Sequence, residues 1–562
     1  MFRRVVGTAP RPEVAWVAAA VAVALLPLGL AGQAGPLEHA WQAYWRADSL
    51  RAATAEGEKL LAAGVTFDDA WSRLRRGRPY PAASPGPRAL RFPSQSGQAY
   101  DNTIEVPAGY DPARPWPVRV QLHGGVMRQD PEEGRRRRGQ RLPPGEPQIV
   151  VEPFAWAESA WWHTTQVDNV LALVDRVKRL YNVDESRIVL TGTSDGGTGT
   201  YYLAMREPTP FAAMVPLIGH LGVLGNPATG ADGELFVSNL VNRPFFVVNG
   251  LMDPKYPAAR IAPYLEALQT AGVSLVFRPQ RLGGHDTSWW LEERPLVERF
   301  AADHPRAPHP PLLSWETERT DRFNRVHWLV IDELGGRPGE AALPETNSVT
   351  ERFDPDFGLR GDAKKDRGTR IVQVVADTDA ARLGLMAGDR LLEIDGRPVD
   401  DLAAVQAAFD RNTGPRIRIA VERRGSRLDV EGPFPPQPRR GPPQPIFRHR
   451  RPSGRVDVVR RGNAFEARTR GVARFTLLLS PDAVDFARPV VVTVNGRVVH
   501  DAPVERDVRA LVRWAARDND RTMLYGAALP VAVPQATSVA AAPRPVPRGR
   551  QPAARHAARG TG

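Results

Sequence analysis

Residues 187–203 read RIVLTGTSDGGTGTYYL. The apolar, β-branched run Ile188-Val189-Leu190 leads into Gly192-Thr193-Ser194-Asp195-Gly196, and a helix-compatible run follows. Gly-x-Ser-x-Gly between a strand and a helix is the pattern of a turn so sharp that Cβ atoms beside the serine would collide, so glycine stands on both sides. Alone, the pentapeptide also describes a glycine-rich turn. Its place between a buried strand and a helix decides for Ser194 as a nucleophile.

At 562 residues the chain exceeds one hydrophobic core and should hold several domains. It contains no cysteine, which excludes a cysteine nucleophile, a thiolate metal site and a disulfide framework. The formal charge is +12, but the arginines gather in Pro/Arg-rich stretches at 433–455 and 534–562. These read as solvated basic linkers and not as a nucleic-acid surface, since no aromatic interleaving or recognition helix accompanies them. No histidine and carboxylate cluster has ligand spacing, so neither a metal nor another cofactor is expected.

Arg3, Arg4 and Arg11 precede an apolar run at 14–30, broken by Pro27 and followed by small residues up to Ala34. This is the layout of an export signal, cleaved after Ala34 or kept as a signal anchor. Either outcome places the rest outside the cytoplasm, in the periplasm or secreted.

Residues 35–90 form a helical extension, with Trp41, Tyr44, Trp45, Leu60 and Leu61, then Phe67, Trp71 and Leu74, at helical spacing; it is expected to pack on the domain that follows. From 91 to 306 strand and helix signals alternate. Strand candidates are 118–122, 149–151, 188–190, 213–218, 245–249 and 274–277, and a helix at 166–181 has Val167, Val170, Leu171, Val174 and Val177 on one face. The fold class is α/β, a doubly wound and mostly parallel sheet covered on both faces. Short strands at 313–316 and 326–331 lie before an insertion, 353–432, and others at 455–459, 475–479 and 490–494 lie after a linker, 433–453. Too few on either side to be stable alone, they are paired into one β-sandwich-like domain, 310–352 with 454–532, and 533–562 is a basic tail.

A serine hydroxyl needs a histidine to take its proton and an acid to orient that histidine. Asp253 follows strand 245–249 in Gly250-Leu251-Met252-Asp253-Pro254, and His285 follows strand 274–277 in Leu282-Gly283-Gly284-His285. Singly they read as a helix cap and a surface histidine; in the order Ser, Asp, His, each past a strand end, they read as a triad. His163 and His220 lack that placement. Strand 118–122 ends in His123-Gly124-Gly125, so the N–H of Gly124 or Gly125, with that of Asp195, is the expected oxyanion hole, and His123 shapes the loop. Trp161, Trp162, Trp289 and Trp290 flank these loops, either as packing or as an apolar pocket wall.

The stretches VRVQLHGG, RIVLTGTSDGGTG, FFVVNGLMDP and LGGHDTSWW resemble the oxyanion loop, elbow, acid loop and histidine loop of the α/β-hydrolase superfamily. Over 91–304 the chain is most like prolyl-oligopeptidase-like peptidases and polyhydroxybutyrate-depolymerase-like esterases. The resemblance implies an acyl-enzyme at Ser194 acting on an ester or a peptide. It departs from true prolyl oligopeptidases in having no propeller blade repeats before the domain.

Residues 369–432 resemble a PDZ domain through IVQVVADTDAARLGLMAGDRLLEIDGRPV, with Ala380-Ala381-x-x-Gly384-Leu385-x-x-Gly388-Asp389 matching the bacterial pattern. That resemblance implies a peptide added to a sheet edge with its carboxylate on backbone N–H groups, and Phe357-Gly358-Leu359 is the candidate carboxylate loop. The expectation is a serine hydrolase, peptidase or carboxylesterase, with a PDZ module for a protein C-terminus. The alternative is a non-catalytic cell-envelope PDZ binding protein with the hydrolase domain as scaffold. Insertions lengthen loops at little thermodynamic cost, so removing 353–452 is expected to leave the triad undisturbed.

Overall fold

Eight strands make the sheet that carries the elbow: β1 (Gly86–Pro93), β2 (Ala99–Val106), β3 (Trp116–Leu122), β4 (Ile149–Pro153), β5 (Val183–Thr193), β6 (Ala213–Leu217), β7 (Phe245–Gly250) and β8 (Leu275–Gln280). Their order is β1-β2-β4-β3-β5-β6-β7-β8. β1, β2 and β4 pair antiparallel, and every pairing from β4 through β3 to β8 is parallel. The computed structural model describes residues 35–93, 97, 99–126, 142–336, 340–350, 352–353, 357–361, 369–376, 378–412, 414–434, 439–440 and 442–534. The export signal expected at 1–34 and the basic tail from 535 onward lie outside the described residues.

The central strands carry apolar runs because both faces are covered. On β5, Ile188 and Leu190 enter one core cluster while Val189 enters the other. On β7, Phe245 and Val247 face the first, Phe246 and Val248 the second. The period of two distributes one unbroken hydrophobic run over two interfaces. Helix Thr164–Leu180 covers one face through Val167, Val170, Val174 and Val177. Helix Trp290–Asp303 covers the other through Trp290, Val297 and Phe300.

The sheet begins before 91, with β1 and β2 as an antiparallel pair that the strand candidates omitted. β1 carries Pro87, Pro93 and two arginines and lies at the sheet edge, so it lacks the apolar run that marks the inner strands. β2 buries Tyr100, Asn102, Ile104 and Val106 in strict alternation.

Strands from both sides of the insertion do form one two-layer β unit. Leu312–Thr317 pairs with Gly454–Arg461, and Leu329–Leu334 pairs with Val472–Leu479. A four-stranded and a five-stranded sheet enclose a core containing Trp315, Trp328, Phe465, Phe475 and Tyr525. The N-terminal helices Pro36–Arg46, Leu50–Ala62 and Phe67–Arg76 were expected on the following domain. Their apolar face instead closes on helix Val508–Asp518, where Trp41, Tyr44 and Leu60 share a core with Leu511, Val512 and Ala515. They touch the domain of the eight-stranded sheet through polar bonds such as Arg179 Nη1 to the Ala47 carbonyl, 3.2 Å.

The two ends of the insertion return side by side. Ser348–Val349 pairs with Gln444–Pro445, and Arg352–Phe353 with Arg439–Arg440, both antiparallel. Val349, Ile446 and Phe447 are buried in a core of the eight-stranded sheet, which corrects the expectation that everything from 353 to 452 is separable. Within the insertion, Ile371, Leu391, Ile394, Ile417, Ile419 and Val421 build a core of their own.

Candidate active site

β5 stops at Thr193 and helix Asp195–Arg206 starts one residue later, leaving Ser194 at φ 55°, ψ −116°. A non-glycine residue in that region is strained and persists only where its surroundings hold it. Here Ser194 N donates to the Leu217 carbonyl at 2.9 Å and Thr198 N donates to the Ser194 carbonyl at 3.0 Å. A Cβ on Gly192 would lie 2.0 Å from the Gly196 carbonyl oxygen, and one on Gly196 would lie 2.2 Å from that of Leu122, so neither position admits a side chain.

The loops after β7 and β8 are laced together: Leu251 N donates to the Gln280 carbonyl at 2.8 Å and Met252 N to that of Gly283 at 3.1 Å. This lacing brings Asp253 to His285. His285 Nδ1 donates to Asp253 Oδ2 at 2.8 Å, and Ser194 Oγ donates to His285 Nε2 at 2.9 Å. Asp253 is 2 % exposed, and its other oxygen accepts from Lys255 N at 2.8 Å and Tyr256 N at 3.0 Å. Those bonds keep the buried carboxylate solvated by the chain and hold the histidine in the tautomer with Nε2 free to accept. The ring of Tyr256 meets that of His285 edge-on, centroids 5.5 Å apart. Burial, reinforced by Asp195 and Asp253, raises the Tyr256 phenol above its ordinary value, so it stays protonated.

Gly124 sits directly against the elbow: a Cβ there would be 3.0 Å from Ser194 Cβ and 3.1 Å from the Thr193 carbonyl oxygen. Gly125 has φ +71°, and Asp195 is the first residue of its helix. The three candidate oxyanion donors therefore belong to two segments in contact beside the serine. His123 turns away from the chemistry; its Nδ1 donates to the Gly124 carbonyl at 2.9 Å and its Nε2 accepts from Ala155 N at 3.0 Å.

Trp161 and Trp162 are not a pocket wall. Both are below 2 % exposed, Trp161 Nε1 donates to the His123 carbonyl at 2.8 Å and Trp162 Nε1 to that of Thr229 at 2.9 Å. Trp289 and Trp290 are buried in the second core cluster, and Trp290 Nε1 donates to the Pro143 carbonyl at 3.0 Å. Trp161, Trp162 and Trp290 are large rings with a satisfied N–H packed beneath loops, whereas Trp289 Nε1 is buried without a hydrogen-bond partner. His220 lies near the triad but is no base. Burial, with Arg260 nearby, pushes it down to about 4, and its Nδ1 accepts from Gly222 N. Among the described residues no group of three or more His, Cys, Asp or Glu is placed to hold a metal ion.

In the inserted module the Phe357 ring packs on Phe409 and Phe434, and strand Leu359–Gly361 pairs with Ile371–Val374. Gly358 has φ +90°, and a Cβ on it would meet Thr378 Oγ1 at 1.9 Å. Glycine is thus required at the entrance to that strand.

Residues 370–423 match the family model of the PDZ domain. Two curated relatives are similar to parts of the chain. A bifunctional acetylxylan esterase/xylanase from Neocallimastix patriciarum is 28% identical over 132 residues, 23% of this chain and 19% of that protein. The regulator of sigma-E protease RseP from Escherichia coli (strain K12) is 24% identical over 163 residues, 24% of this chain and 35% of that protein. The chain thus spans about a fifth and a third of the lengths of these relatives. Among solved structures, a thermostable esterase is similar at 24% identity and TM-score 0.31, over 39% of this chain and 63% of that one. The chain thus joins an eight-stranded, mostly parallel α/β sheet with a strand-to-helix elbow at Ser194 to an inserted segment that matches the PDZ domain.

Proposed function

We propose that the chain is a serine hydrolase of carboxylic esters or peptides that acts through an acyl-enzyme at Ser194. The observation that carries this reading is the unbroken line from Ser194 Oγ through His285 to Asp253, at 2.9 and 2.8 Å, on a strained strand-to-helix turn. In this mechanism Oγ attacks the substrate carbonyl carbon while its proton passes to His285 Nε2. The imidazolium formed is stabilised by Asp253, whose carboxylate stays ionised. The negative charge on the former carbonyl oxygen falls to the N–H groups of Asp195 and of Gly124 or Gly125. The tetrahedral intermediate collapses as His285 returns its proton to the leaving alcohol or amine. Water then attacks the acyl-enzyme by the same route and releases the acid and Ser194.

Similarity to an acetylxylan esterase/xylanase favours esters as the substrates to test before peptides. The PDZ domain would hold a protein C-terminus at Phe357-Gly358-Leu359, bringing a chain near the hydrolase. The arginines and apolar run before Ala34 support a place outside the cytoplasm, periplasmic or secreted. The test is labelling by a fluorophosphonate probe, run beside turnover of p-nitrophenyl acyl esters and peptide anilides for wild type and Ser194→Ala. Labelling and turnover that vanish together in Ser194→Ala support the proposal. A wild-type protein that neither labels nor turns over either substrate class sinks it.

A further inference from the structure

The segment bearing Gly124 and Gly125 is held on both sides of the two glycines. At its start, Trp161 Nε1 grips the His123 carbonyl and Ala155 N grips the His123 ring. Just after Gly125, the N–H of fully buried Val126 donates to Asp195 Oδ2 at 2.8 Å. Asp195 is the residue after the nucleophile, so one residue supplies an oxyanion N–H from its backbone and ties down the opposing loop with its side chain.

We propose that the Asp195 carboxylate is a positioning residue that sets the width of the oxyanion hole through Val126. This rests on the serine-hydrolase reading above. The loop and elbow already touch, with the space for a Gly124 Cβ only 3.0 Å from Ser194 Cβ. Oxyanion donors act at about 2.7–3.1 Å, so a loop that drifts by a few tenths of an ångström leaves that range. The other role open to Asp195 is purely structural, as an acidic residue in the first turn of helix Asp195–Arg206, where its charge suits the helix dipole. The two roles separate chemically. Asparagine keeps an oxygen to accept the Val126 N–H but loses the charge; alanine loses both.

Wild type, Asp195→Ala, Asp195→Asn, Asp195→Glu and Ser194→Ala are compared for kcat and KM on a short-chain p-nitrophenyl ester, for fluorophosphonate labelling rate and for Tm. The expected result is that Asp195→Ala lowers kcat about 10²-fold, with KM changed less than about threefold and labelling slowed in parallel. Asp195→Asn should lower Tm and cost kcat at least about tenfold less than Asp195→Ala does. A folded Asp195→Ala with wild-type kcat overturns the proposal, and so does Asp195→Asn as slow as Asp195→Ala. If Asp195→Ala does not fold, Asp195→Glu decides, because one added methylene moves the carboxylate; wild-type kcat there overturns the positioning role. Turnover retained by Ser194→Ala is a separate result, which removes the serine mechanism and the positioning role with it.

Discussion

The backbone of Ile446 lies against Gly225 so closely that a Cβ on that glycine would stand 2.4 Å from the Ile446 carbonyl oxygen. Gly225 ends the short 3-10 turn Leu221–Gly225 behind His220, and Ile446 sits on the chain returning from the PDZ domain. Asn347 clamps the same place, its Oδ1 accepting from Phe447 N at 2.8 Å and its Nδ2 donating to the Phe447 carbonyl at 2.6 Å. The tethers of the insertion are therefore part of the domain that carries the eight-stranded sheet.

Two deletions should behave differently. Removing 354–438 and joining Phe353 to Arg439 with a short Gly/Ser linker keeps the paired tethers, and ester turnover and Tm should stay near wild type. Removing 353–452 takes Ile446 and Phe447 from the core, a loss of about 2–5 kcal/mol for each large apolar side chain. Thermal melts and ester assays on both proteins check this, and equal stability of the two would show that the tether contacts contribute nothing.

Replacing Ser194 by alanine should lower kcat by about 10⁴ or more without altering the circular dichroism spectrum. Asp253→Asn should give a loss of about 10⁴ through a different cause, since an amide donating to Nδ1 turns His285 to the wrong tautomer. Either variant within about tenfold of wild type would remove that residue from the mechanism.

Gly124→Ala places a methyl group 3.0 Å from Ser194 Cβ and 3.1 Å from the Thr193 carbonyl oxygen. The loop must back away, so kcat is expected to fall about 10²-fold while KM changes little. A loss confined to KM would place Gly124 in substrate binding instead.

Stability should fall as the medium becomes acid. Burial pushes His309 down to about 4; Arg460 and Arg306 lower it too, while Asp482 and Asp520 act against them. Neither ring nitrogen of His309 has a hydrogen-bond partner. A depressed folded-state value means that the unfolded chain takes up the proton first, so this contribution is intact above about pH 6.5 and is lost as pH falls toward 4. His220 behaves alike, through burial and Arg260, whereas Glu207, raised to about 7 by desolvation, acts in the opposite sense as pH rises. Comparing Tm of wild type and His309→Leu from pH 7.5 to 4.5 isolates one group. The gap should move in favour of the variant below about pH 6, and parallel curves would refute the assignment.

Some of this molecule was legible in the 17 residues from 187 to 203 and in two later strand ends. The run at 188–190, the glycines around Ser194 and the later strand-end residues Asp253 and His285 act locally, because a sharp turn excludes Cβ atoms wherever it occurs and a parallel sheet sends every strand end to one edge. The PDZ segment was equally local, its glycines standing at fixed intervals along a chain that builds its own core. Edge strand β1 was not legible, because an edge needs no apolar run.

What only the tertiary structure decided is which surface covers which. The apolar stripe of the N-terminal helices states that something must bury it, yet any apolar partner would serve, and the fold supplied Leu511, Val512 and Ala515 from the far end of the chain. Trp161 and Trp162 became packing because backbone carbonyls at His123 and Thr229 came within reach of their N–H groups. Ile446 and Phe447 were assigned to a linker because they sit among prolines and arginines, and they became core because the returning tether meets Gly225. Periodicity and turn chemistry act between neighbours in sequence, whereas burial of apolar surface is non-directional and takes whichever partner the chain topology brings near.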